Sequence, residues 1–357
     1  MPEKVFDCLV FIGRFQPPHR GHIEVIAQAL SKAEQVIVLI GSAWQARSLR
    51  NPWTFDERAE MIRACIGSED QSRLTMVPLL DALYNDDIWV RDVQKKVRDL
   101  AMQPAQKLPK IALIGARQTR SNYFLTLFPQ WQSVSVDPLD GISSEDIRVP
   151  LFHDADTARA YLAQTPHPTL EAPVTARLSQ FMDTEHWQAL HQERQLLEQY
   201  QRAWQDTPYP PMFITVNAVV VQSGHVLLVE RRAAPGKGLY ALPGGFVQPQ
   251  ERLEDACFRE LRDNIRLKVP EPVLRGSLRA HRLFDDPHRS WRGRTLAQAF
   301  YLALRPEQRL PEVRMPRTSR HKAVWLPLAD LDPEQLFEDH FFIIQSFLGL
   351  PAGYNAS

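Results

Sequence analysis

Gly13-Arg14-Phe15-Gln16-Pro17-Pro18-His19-Arg20-Gly21-His22 is the stretch on which the fold turns. The residues before it, 5–12, form a short apolar run that ends at Gly13, as a buried strand does. After Gly21 the spacing changes: Ile23, Ile26, Ala27 and Leu30 fall on one helical face. The alternation repeats downstream. Residues 36–40 make a second buried strand closing on Gly41, residues 55–66 and 87–100 read as helices, and residues 111–114 are a third strand closing on Gly115. Strands alternating with helices predict an α/β domain, a parallel sheet with helices on both faces. Ligands on such sheets bind beyond the carboxyl ends of the strands, where this decapeptide lies.

The decapeptide carries chemistry of its own. Its inner glycine lets backbone approach a ligand closely. A helix starting here offers unpaired N–H groups and a partial positive charge, an anion site. The imidazoles of His19 and His22 can donate to phosphate oxygens, and Arg14 adds a fixed cation. The blander reading is two surface histidines at a helix start; the preceding strand, the loop and Arg14 weigh against it.

The bulk of the chain bounds the function. Its 357 residues leave room for two domains. Hydrophobic residues at 44% and charged residues at 24% give the balance of a soluble globular protein. Lys plus Arg equals Asp plus Glu at 42 each, so the basic excess of a nucleic-acid binder is missing and no nucleic-acid partner is expected. Cys8, Cys65 and Cys257 are far apart and form no CxxC pair, which suits the cytoplasm and supplies no zinc pattern. Glu3, Lys4 and Asp7 interrupt the apolar start, so a strand is expected there, not a signal peptide. No apolar run reaches the roughly eighteen residues of a membrane span. The oligomeric state stays open.

Residues 13–22 resemble the HxGH signature of the nucleotidyltransferase superfamily, in its nicotinamide-mononucleotide adenylyltransferase form. Ile142-Ser143-Ser144-Glu145-Asp146-Ile147-Arg148 is similar to that superfamily's ISSTxxR signature, with Glu145 in place of the threonine. Asn51-Pro52-Trp53-Thr54 with Glu57-Arg58 resembles a third family segment, and Trp89 matches the position that stacks the pyridine ring. The resemblance implies a Rossmann-like domain that takes ATP and nicotinamide mononucleotide. It implies His19, His22 and Arg148 as catalytic residues, with Arg148 starting a helix and facing the triphosphate. It implies Gly13, Arg14, Phe15, Trp89, Ser143 and Ser144 as substrate-binding; for Trp89 a plain core tryptophan is the alternative. The implied reaction needs no protein nucleophile, because the 5′-phosphate of the mononucleotide attacks the α-phosphorus of ATP. Catalysis is then positioning and charge neutralisation, with Mg²⁺ bridging phosphate oxygens. After the third strand, Ala116 and Gln118 stand where a polar His and Lys are implied.

Past residue 150 the texture changes. Residues 154–164 read as a helix, prolines interrupt at 166, 168 and 173, and residues 175–204 form a long polar helical stretch ending at Pro208-Tyr209-Pro210-Pro211. The expected division is a first domain of residues 1–185, a helical connector of 186–211 and a second domain of 212–357. From Phe213 the pattern is β-like, with strands at 213–216, 218–221 and 226–229 around a Ser223-Gly224 turn, opening an α+β domain.

That second domain contains Leu242-Pro243-Gly244-Gly245-Phe246, then Glu251, then Arg259-Glu260-Leu261, in the register of the Nudix box. Leu253, Ala256, Cys257 and Leu261 are expected to form the buried face of its helix, with Glu260 and the residues three and four further on opposite. The family uses carboxylates there to gather Mg²⁺ or Mn²⁺. Here the metal candidates are Glu260 and Asp263, with Glu251 and Asn264 as weaker ones. Asp263 is a shortened acid, Asn264 a neutral amide, and Arg266 replaces a glycine. The segment 314–321 is basic where the family is acidic. Further stretches, among them Phe337-Glu338-Asp339-His340, extend the resemblance to the bifunctional family that fuses both modules and hydrolyses ADP-ribose in its Nudix half.

The combined expectation is an adenylyltransferase whose Nudix domain has weak or lost hydrolase activity. A fully bifunctional enzyme and a non-catalytic ADP-ribose sensor are the alternatives. No basic recognition helix supports a DNA-binding regulator.

Overall fold

The computed structural model describes residues 4–101, 108–116, 126–137, 142–316 and 321–349. The expected departures at Ala116, as a side chain, and Gln118, and the basic residues 317–320, lie outside the described residues.

Strand β1 (Phe6–Gly13) is buried from Cys8 to Ile12, and that double-sided burial puts it at the centre of a sheet. Its side chains alternate. Leu9 and Phe11 join one apolar cluster with α1 (Arg20–Lys32) and α2 (Phe55–Ala64). Cys8, Val10 and Ile12 join another with Val93 and Val97 of α3 (Asp86–Leu100). The sheet runs β3-β2-β1-β4-β5 with every pair parallel, where β2 is Ala33–Ile40, β3 Leu74–Pro78, β4 Ile111–Ala116 and β5 Gln132–Val136. The doubly wound sheet expected from sequence is present. Chain order reverses between β1 and β4, so a crevice opens at their carboxyl ends, beside Gly13.

Helices α4 (Ser144–Leu151), α5 (Ala155–Leu162) and α6 (Ala172–Met182) follow. The single stretch expected over 175–204 is two helices, α6 and α7 (Glu185–Arg202), because α6 ends at Asp183. The chain divides into two compact units, one ending at Arg194 and the next beginning at Gln195, so the division falls inside α7.

The second unit is a mixed sheet of order β10-β11-β6-β7-β12. Its strands are β6 (Phe213–Gln222), β7 (His225–Glu230), β10 (Leu278–Phe284), β11 (Thr295–Ala303) and β12 (Lys322–Pro327). Two short strands, β8 (Tyr240–Ala241) and β9 (Gly244–Phe246), pair with β7 and β6. Helix α8 (Leu253–Arg259) lies on one face, with Ala256, Cys257 and Phe258 in the core; α9 is Glu271–Gly276. On α10 (His340–Leu348), Phe347 packs on Phe284 and Tyr301. Leu253, expected inside, is 36% exposed; Phe258 takes the place in the core. No helix among the described residues is long and apolar enough to cross a membrane.

Candidate active site

The loop after β1 is shaped by an aromatic side chain. Phe15 has a left-handed backbone (φ 52°), and its ring is buried, edge-on to Phe11 at 5.3 Å and to His22 at 4.7 Å. A Cβ at Gly13 would come within 2.9 Å of that ring. Gly13 therefore makes room for Phe15, and Phe15 in turn braces His22. Gln16 locks the loop to the start of α2 by exchanging two hydrogen bonds with the backbone of Trp53, at 2.9 and 3.1 Å.

His19 is the N-cap of α1, and its ring stacks on His22 with centroids 3.6 Å apart. The His19 backbone N–H donates to His22 Nδ1 at 3.2 Å, so neutral His22 carries its proton on Nε2. Burial pushes the His19 imidazole down to about 4 and holds His22 well below the ordinary histidine range, His19 adding to the effect. Near neutral pH both rings are uncharged hydrogen-bond donors. The expected row of open N–H groups needs correction, because the chain itself uses most of them. Arg20 N–H donates to Thr169 O at 2.9 Å, and His22 and Ile23 donate to His19 O. Among the described residues the Gly21 N–H alone of this turn lacks a partner.

Positive charge comes from arginines. Arg14 is exposed. Arg148 is buried and donates to Gln16 O at 2.6 Å. Burial lowers its guanidinium to about 10, with Arg14 and Arg50 pushing the same way and Glu145 opposing. Arg148 sits in the second turn of α4, not at its start as expected; Ser143 is the N-cap. The Ser143 hydroxyl is committed to Asp146, accepting from its N–H at 3.1 Å and donating to its carboxylate at 2.6 Å. The Ser144 hydroxyl donates to Pro17 O at 3.0 Å. Ser144 and Arg148 thus fasten α4 to the histidine loop. Arg58 does the same from α2: it is fully buried and donates to the carbonyls of Arg14, Gly41 and Ser42. Trp89 is half-buried on α3, its ring 5.8 Å from Phe128, so it joins the core cluster on that face of the sheet.

In the second unit Arg259 holds two carboxylates. It donates to both oxygens of Glu251, at 2.9 and 2.7 Å, and to Glu260 Oε1 at 2.6 Å. The arginine and the Gln248 N–H hold the Glu251 carboxyl down to about 2. Residues Glu260–Ile265 form a π-helical turn. Across it Asn264 Nδ2 donates to Glu260 Oε2 at 2.5 Å, so these two side chains do share a face. Asp263 does not join them; it is half-exposed and paired with Arg262 at 2.8 Å. A Cβ at Gly245 would sit 2.6 Å from Glu260 Oε1, so glycine is what admits the carboxylate there. No group of three acidic, histidine or cysteine side chains among the described residues is arranged to hold a metal ion.

Known proteins share both halves. A Cytidylyltransferase-like family model matches residues 10–149, and a NUDIX domain model matches residues 212–347. The nicotinamide/nicotinic acid mononucleotide adenylyltransferase of Acinetobacter baylyi is 34% identical over 189 residues, 53% of this chain and 93% of that protein. The chain belongs to the nicotinamide-mononucleotide adenylyltransferase family. A NUDIX domain follows it over residues 212–347. A bifunctional NMN adenylyltransferase/ADP ribose pyrophosphatase of Francisella tularensis, solved with AMP and a manganese ion, superposes with a TM-score of 0.84 at 29% identity, covering 96% of this chain and 99% of that one. An archaeal nicotinamide-nucleotide adenylyltransferase, from Pyrococcus abyssi, is 44% identical over 89 residues; the match spans about half that protein, 47%.

Within this adenylyltransferase the fold brings Gly13, Arg14, Phe15, His19, His22, Ser144 and Arg148 to one loop. Ser143 enters as a helix cap, and Trp89 stands on a separate helix. Sequence reading missed Asp81. Its carboxylate accepts from the N–H and hydroxyl of Ser42 and from Gln45, ordering the loop after β2. The only sequence signal was an isolated acid just past a short strand, Leu74–Pro78, that ends in proline.

Proposed function

We propose that the first unit joins ATP to nicotinamide mononucleotide, the 5′-phosphate attacking the α-phosphorus and pyrophosphate leaving. One observation carries this reading: the stacked neutral pair His19–His22 shares a loop with the guanidinium groups of Arg14 and Arg148 at the carboxyl end of β1. Neutral imidazoles donate to phosphate oxygens, while the arginines offset charge that builds on the leaving pyrophosphate. Mg²⁺ would arrive bound to ATP and neutralise phosphate oxygens. Its coordination there requires no carboxylate cage from the protein. Trp89 is the residue we assign to the pyridine ring. A cytoplasmic location agrees with three free cysteines. The test is conversion of ATP with the amide or the acid mononucleotide to the matching dinucleotide; no dinucleotide from either one overturns the assignment.

For the Nudix domain we propose weak or absent ADP-ribose hydrolysis. The residues fit a catalytic Mg²⁺ or Mn²⁺ poorly: Arg259 occupies Glu251 and one oxygen of Glu260, Asn264 occupies the other, and Asp263 turns to Arg262. AMP release from ADP-ribose over a Mg²⁺ and Mn²⁺ series tests this, and robust release at ordinary Mg²⁺ would refute it.

A further inference from the structure

The loop between α5 and α6, marked in sequence only by the prolines at 166, 168 and 173, grips the histidine helix. His167 is buried at 5% exposure, and its Nδ1 accepts from the backbone N–H of both Thr169 and Leu170 at 3.2 Å. One imidazole nitrogen so closes the turn whose carbonyl, Thr169 O, receives the Arg20 N–H at 2.9 Å. Arg20 is the first residue of α1 and lies between the two stacked histidines in sequence. Around the turn, Tyr161 of α5 stands edge-on to His167 at 4.7 Å and shares a hydrogen bond with the Thr169 hydroxyl at 3.1 Å. Glu171 pairs with the Arg20 guanidinium at 3.3 Å. Two of these contacts, through the Arg20 N–H and the Arg20 guanidinium, end on the turn that carries His19 and His22.

We propose that His167 is a positioning residue for adenylyl transfer. It holds Thr169 O against the first amide of α1 and so fixes the placement of the two imidazoles. The inference rests on the adenylyl-transfer reading of that site. His167 is buried, and no substrate contact is assigned to it. Its influence passes through the Thr169 carbonyl, so what it governs is alignment in the transition state, which appears in kcat more than in KM.

The acceptor role separates His167 from a packing residue. Asparagine can place Oδ1 where Nδ1 now sits, whereas leucine fills similar space with no acceptor. In the full chain, with both substrates varied, we expect His167→Leu to lower kcat about tenfold and each KM less than about threefold, the size expected for loss of one or two buried hydrogen bonds. His167→Asn should keep kcat within about threefold of the natural protein. Tyr161→Phe removes only the hydroxyl and keeps the ring, so it supplies a milder perturbation should the leucine variant not fold; a fall of about two- to fivefold in kcat is expected. Equal losses in the leucine and asparagine variants, or full kcat in both His167→Leu and Tyr161→Phe, would overturn the proposal. A His22→Ala variant assayed alongside separates the two claims, since near-natural turnover there refutes the reading of the site itself.

Discussion

Gly13→Ala is the most informative small change in the molecule. The new methyl would lie 2.9, 3.1 and 3.3 Å from Cζ, Cε2 and Cε1 of Phe15. That ring cannot swing away freely, because it is 1% exposed and wedged between Phe11 and His22. Overpacking of this kind costs about 1–3 kcal/mol. For a unit of this size that lowers the melting temperature by roughly 2–10 °C. The yielding neighbour is His22, so kcat should fall roughly three- to tenfold as the imidazole shifts by a few tenths of an ångström. Phe15→Leu removes the three crowded ring atoms. In that background Gly13→Ala should be nearly neutral, leaving a coupling of about 1–3 kcal/mol in a double-mutant cycle. Melting curves and steady-state rates on the four proteins decide it. If the single alanine variant melts and turns over like the natural protein, Phe15 does not brace His22 and the reasoning fails.

Other expectations follow from the same geometry. Burial holds His19 at about 4, whereas an unfolded histidine titrates near 6.5, so the unfolded chain binds more protons between those values and stability falls as pH drops through that window. The loss from His19 alone approaches about 3 kcal/mol at the acid end; melting temperatures from pH 7 to 4 should show it, and His19→Gln should flatten the slope. Trp89→Ala should raise the mononucleotide KM roughly two- to thirtyfold with ATP less affected, and equal effects on both would make Trp89 a packing residue. Asn264→Glu should strengthen Mn²⁺ binding to the protein with only partial gain in AMP release; unchanged Mn²⁺ titration would show that position 264 does not face the metal.

The first sheet's centre was legible in sequence because β1 and β2 are buried on both faces and end in glycine, which leaves continuous apolar runs. The strands β3 and β5 went unseen for different reasons: Leu74–Pro78 is short, half-buried throughout and ends in proline, and Gln132–Val136 alternates serine with valine. The histidine loop was legible as chemistry but not as geometry. Nothing in the spacing of Gly13 and Phe15 announces that one makes room for the other, nor that Thr169, far along the chain, consumes an amide of the expected anion site. In the Nudix domain a regular helical period correctly brought Glu260 and Asn264 together. It misplaced Asp263, since the chain turns π-helical at Glu260 and the neighbouring Arg262 draws that carboxylate outward. Pairing with Arg259 depends on where an extended loop returns, which residue order does not encode locally.

On the proposed function, the adenylyl group passes directly from ATP to the mononucleotide at a site built on His19, His22 and Arg148. Its most direct test supplies the purified protein with Mg²⁺, nicotinamide mononucleotide and ATP radiolabelled at the α-phosphorus. The label should move into the dinucleotide, with an equimolar release of unlabelled pyrophosphate that requires the mononucleotide and is lost in His22→Ala. Label released as free AMP, label retained covalently on the protein, or undiminished transfer by the alanine variant would contradict it.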